Sequence, residues 1–61
     1  MKTLEEYINE GKELIADWQW AYICLDKKLM EKIVQKRIRL EQEVMMHDDD
    51  FVCAYYHGIY Q

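Results

Sequence analysis

Leu4, Ile8, Gly11, Ile15, Trp18, Tyr22, Leu25 and Leu29 follow one another at alternating spacings of four and three residues. The stripe continues through Ile33, Leu40 and Val44, with Lys36 or Arg37 standing where one more apolar residue is due. Steps of three and four return to one face of an α-helix, so most of the chain is written as helix with one long side to bury. The chain has only 61 residues. A chain of that size buries about 60% of the surface its unfolded form exposes. The stripe is therefore long for the core it must enter.

Start and stop signals divide the stripe. Thr3 is a good N-cap, and Glu6 three residues later makes a capping box. Neither proline nor glycine occurs between Lys12 and His57. Asp26 is the candidate break, because its carboxylate can cap a second helix. The expected fold is all-α, one domain over 1–61: a helical hairpin of about 4–25 and 27–46, plus a short third helix. The alternative is one helix over 4–46, roughly 63 Å long, in an oligomeric bundle. His47-Asp48-Asp49-Asp50 marks the second break, and any of the three Asp can cap the segment after it. That segment, Phe51 to Tyr56, suits a helix of about 50–57 with Gly58 as its stop. Phe51, Tyr55 and Ile59 then align at steps of four and can cover the open side of the hairpin.

Charge is segregated along the chain. Net charge is −4 overall. Residues 1–26 hold two lysines against six acids, 27–39 hold six basic residues against Glu31, and 40–61 hold five acids and no Lys or Arg. Lys28, Lys32, Lys36 and Arg39 share one side of a helix, where like charges at a spacing of four repel weakly. The plain expectation is a solvated face set against the acidic first helix. The sharper one is a contact for an anionic partner, a nucleic acid or an acidic protein surface. Nucleic acid is the weaker of these, since the chain is acidic overall and its aromatics do not interleave with the basic residues.

Trp20, Ile23 and Cys24 lie on the far side of the first helix from the stripe, among Glu6, Glu13 and Asp17. Either the C-terminal aromatic segment packs over them, or they form an exposed contact for a partner. Arg37 and Glu41, one turn apart inside the apolar arc, read as an edge pair or as a polar pair that sets register between chains.

Catalysis finds little support. There is no Ser, and Thr3 is the only Thr. A Cys53–His57 thiolate pair lacks a third group, and the carboxylate pairs Glu6–Glu10 and Glu6–Glu13 fall on a solvated face. Cys24, His47, Cys53 and His57 could in number make a zinc set, but their spacing fits no zinc pattern, so no metal and no cofactor is expected. His47 reads as an exposed loop residue, and His57 as a cation beside a helix end. No apolar run approaches the roughly 20 residues of a membrane span. Glu5 and Glu6 interrupt the place where the apolar part of a signal peptide would stand, so a cytoplasmic protein with reduced thiols is expected.

The function expected from these features is a small non-enzymatic protein–protein interaction module. It would regulate or inhibit a larger protein partner and would also self-associate, a dimer being favoured. Trp20 and Ile23 are the expected contacts, with Lys28, Lys32 and Arg39 as an electrostatic rim. The alternatives are nucleic-acid binding through 27–39 and a structural helical assembly subunit.

Overall fold

The computed structural model describes residues 2–61, and all regular structure in it is helical: α1 (Leu4–Ile23), α2 (Lys27–Met45) and α3 (Asp49–Ile59). The chain turns at Asp26, as the cap there requires, and the single long helix over 4–46 does not form.

Each helix begins at the residue whose side chain can satisfy its orphan amides. Thr3 Oγ1 accepts from the Glu6 amide at 3.2 Å, Asp26 Oδ1 from Leu29 at 3.1 Å, and Asp48 Oδ1 from Phe51 at 2.9 Å. Glu5 and Glu6, and Asp49 and Asp50, add negative charge at the positive ends of α1 and α3.

The α1–α2 turn closes in a way that the residue types do not advertise. The Asp26 amide reaches back to the Ala21 carbonyl at 2.9 Å, and the Leu25 amide to Tyr22 at 3.1 Å. These are the paired bonds of a Schellman ending, and they place Leu25 at φ 55°. Leucine stands where glycine is the usual occupant.

The core gathers at the base of the hairpin, where α3 folds back. Tyr7, Leu40, Val44, Tyr55 and Ile59 are buried together, with Leu4, Ile8, Leu14, Ile15, Phe51, Val52 and Tyr56 packed around them. Tyr7 meets the edges of both Phe51 and His47, and the His47 ring stacks on Phe51 with centroids 4.0 Å apart. His47 lies in the α2–α3 loop as expected, but it is half-buried in an aromatic cluster rather than exposed. Two glycines let α3 approach α1: a β-carbon on Gly11 would stand 2.7 Å from the Tyr55 hydroxyl, and one on Gly58 would stand 2.5 Å from Ile8 Cδ1. Gly58 thus lies inside α3 as a packing residue, and α3 runs past the expected end at 57 to Ile59.

Candidate interaction site

Helix length decides what is left uncovered. With 20 residues, α1 is about 30 Å long, whereas the 11 residues of α3 span about 16 Å. Since α3 packs at the base, it covers about half of the seam between α1 and α2. The lower members of the apolar stripe are buried or half-buried: Leu4, Ile8, Gly11, Ile15, Leu40 and Val44. The upper members are not. Trp18 is 38% exposed and Tyr22 58%, and Leu25 and Leu29 are exposed as well. The expectation that the whole stripe enters a core therefore fails above Ile15 on α1. On α2 it holds from Ile33 downward.

The uncovered half forms an apolar groove. A cavity of about 280 Å³ is lined by Leu14, Trp18, Ile33, Val34 and Arg37. Trp18 stacks on Tyr22, with centroids 5.4 Å apart and planes 22° from parallel, so the aromatic wall continues toward the turn. The opposite wall belongs to α2, where Ile33 and Val34 line the cavity, and Val34 stands in a second apolar line with Met30 and Ile38 at steps of four. Val34 and Ile38 are both exposed. Spacing alone carries this second line; it is obscured in the sequence because it lies beside the stronger core stripe.

Arg37 closes the lower end of the groove. Its Nε donates to Glu41 Oε1 at 3.0 Å and its Nη2 to the Tyr60 hydroxyl at 3.1 Å, while the Tyr56 hydroxyl donates to Glu41 Oε2 at 3.3 Å. Burial pulls the guanidinium pKa down, but the bonds to Tyr60 and Glu41 outweigh it and leave Arg37 above the usual arginine value. Arg37 and Glu41 thus form the expected edge pair, partly buried beside apolar surface, and through Tyr60 and Tyr56 they also clamp the end of α3 to α2.

The residues expected as partner contacts lie elsewhere. Trp20 and Ile23 are 67% and 70% exposed, and Cys24 is exposed too. The C-terminal segment does not pack over them, because α3 sits on the Gly11 face of α1. Lys28, Lys32 and Arg39 are brought together with Glu31, Gln35 and Lys36 along one side of α2. Among the described residues, no carboxylate lies within 4.0 Å of these cations. Lys36 and Arg39 also line the α1–α2 cleft with Glu10, Glu13, Asp17 and Glu43, so the acidic and basic segments do face each other. Trp20 stands one turn beyond Asp17 on the same flank. Trp20 and Ile23 do not share the depression that holds Lys28 and Lys32.

No protein-family model, curated protein or solved structure matches the chain.

Chemistry-bearing side chains are dispersed. Among the described residues, no three of His, Cys, Asp or Glu come close enough to share a metal ion, and Cys24 and Cys53 are both free thiols. The His57 ring instead meets the Gln61 amide at 2.7 Å. No helix among the described residues is long and apolar enough to cross a membrane.

Proposed function

We propose that this chain is a non-enzymatic interaction module that binds a larger protein partner and regulates or inhibits it. The observation that carries the reading is Trp20 with Ile23, two large apolar side chains left in water on a flank that no other helix covers. A tryptophan in such a position costs solvation free energy in the free protein and returns it on binding. The cations of α2, with Lys28, Lys32 and Arg39 foremost, have no carboxylate within 4.0 Å among the described residues and supply a rim that attracts an acidic surface and quickens association. The two free thiols suit a cytoplasmic setting.

The test is affinity capture from the native host extract with wild type, Trp20→Ala and the double variant Lys28→Glu with Lys32→Glu. Proteins retained by wild type, lost on Trp20→Ala and weakened by charge reversal support the reading. Retention that ignores both changes overturns it.

One observation favours a second reading: four cations at near-regular spacing on one helix side, without carboxylate partners among the described residues. Nucleic-acid contact through α2 would then show affinity falling steeply with salt. Absence of binding to single and double strands at low salt removes it.

A further inference from the structure

We propose that the open half of the hairpin is the seat of a second copy of this chain, with the two open halves closing on each other about a two-fold axis. This surface is distinct from the Trp20 flank, and the inference does not rest on the partner reading above.

Surface area gives the first argument. A folded monomer of 7.5 kDa has an expected accessible surface of about 4,250 Å². This chain exposes 4977 Å². The excess, taken over the whole chain, is about 700 Å², of the order of the roughly 800 Å² that each partner gives to an interface of standard size. The shape agrees: the radius of gyration is 12.2 Å, against about 10.5 Å for a compact chain of this length.

Continuity gives the second argument. The floor of the open groove is the same α1–α2 seam on which α3 packs lower down. Along α1, Gly11 and Ile15 under α3 are followed by Trp18 and Tyr22; along α2, Leu40 is preceded by Ile33 and Val34. A seam that takes one apolar helix at its base presents the same kind of surface above it.

Charge selects the occupant. A two-fold contact sets each surface against itself, so like charges meet. Among the described residues that line the cavity, Arg37 alone is charged, and Glu41 already neutralises it. Self-contact is unopposed there. The flank of Lys28, Lys32, Lys36 and Arg39 would repel its own copy and stays outward. In the dimer, the upper halves of α1 and α2 from both copies make a four-helix section, and Trp18, Tyr22 and Val34 leave water.

Sedimentation equilibrium on the full chain, from about 1 μM to about 500 μM, tests this. The expected mass rises from 7.5 kDa toward twice that value. Val34→Glu and Tyr22→Glu should each weaken the dimer roughly 30-fold or more while keeping the helical circular dichroism signal. The two changes sit on different helices, so local unfolding in one leaves the other to decide. Trp20→Ala should leave the dimer as in wild type. A monomer mass throughout overturns the proposal. So does a dimer that both glutamate variants leave intact, or one that Trp20→Ala abolishes. Loss of the dimer with partner capture intact, or the reverse, separates this proposal from the partner reading.

Discussion

The Tyr55 hydroxyl lies directly over Gly11, 2.7 Å from where a β-carbon would stand, and it is buried without a hydrogen-bond partner among the described residues. A buried unpaired hydroxyl costs free energy, so Tyr55→Phe should stabilise the fold by about 1 kcal/mol, or raise Tm by about 5 °C. Gly11→Ala gains up to about 1 kcal/mol of helix propensity. The new methyl, however, meets Tyr55 and also Ile59 Cγ2 at 3.0 Å, and Tyr55 has nowhere to go. Overpacking should win, with a net loss of about 1–2 kcal/mol. The same substitution made in Tyr55→Phe should cost at least about 0.5 kcal/mol less. Thermal or urea unfolding of the four proteins in this cycle measures each step; additive effects would show that the two residues do not touch.

Leu25 carries a backbone conformation that glycine adopts freely and leucine does not. Its side chain is exposed, so little packing is lost with it. Leu25→Gly should stabilise the monomer by about 1 kcal/mol, the relief of left-handed strain less the added freedom of the unfolded chain. Urea midpoints at low protein concentration check this. A destabilised variant would mean that the turn is not held in the Schellman form.

The alkaline limb of stability should be steep. Burial pushes the Tyr55 hydroxyl pKa up, and the Glu41 carboxylate adds to the shift. Burial, followed by Glu41, does the same at Tyr56. Lys2, held protonated chiefly by its hydrogen bond to Glu10, acts in the same sense. Below the unfolded tyrosine value of about 10, folded and unfolded chains bind the same tyrosine protons and this contribution is fully present. As pH rises through the higher folded values, the unfolded chain releases protons first and stability falls. Unfolding free energy measured from about pH 8 to about pH 11 should be flat and then decline, and the decline should be shallower in Tyr55→Phe. An unchanged slope in that variant would remove Tyr55 from the account.

The elements were legible because each rests on local chemistry. Thr3, Asp26 and Asp48 cap where their side chains demand, and the stripe names the buried face of α1 and α2. The limits of the core were not legible, because they depend on how far α3 reaches, which no spacing within α1 reveals. Trp18 and Tyr22 carry the same periodic signal as Gly11 and Ile15, yet α3 ends below them. Gly58 looked like a stop because glycine often ends helices; its actual role, admitting Ile8, appears only once two helices are packed. Arg37 and Glu41 were visible as a pair, but their tyrosine partners lie 23 and 15 residues away along the chain.

Neighbouring residues on α1 reverse the usual relation of size to burial. Ala21 is 1% exposed while Trp20, beside it, is left in water. Ala21 faces inward in the upper hairpin, and Ile33 is the buried residue of α2 in that half. Trp20→Ala should therefore change unfolding free energy by no more than about 0.5 kcal/mol, whatever it does to binding. Ala21→Leu adds volume where two helices meet and should cost about 1–3 kcal/mol, opening the turn end of the hairpin. Hydrogen exchange would place that loss: amides of Tyr22, Ile23 and Met30 should exchange faster, while those near Tyr55 and Val44 keep their protection. If Trp20→Ala unfolded the chain and Ala21→Leu did not, the orientation of the upper half of α1 would be wrong, and with it both proposed contact surfaces.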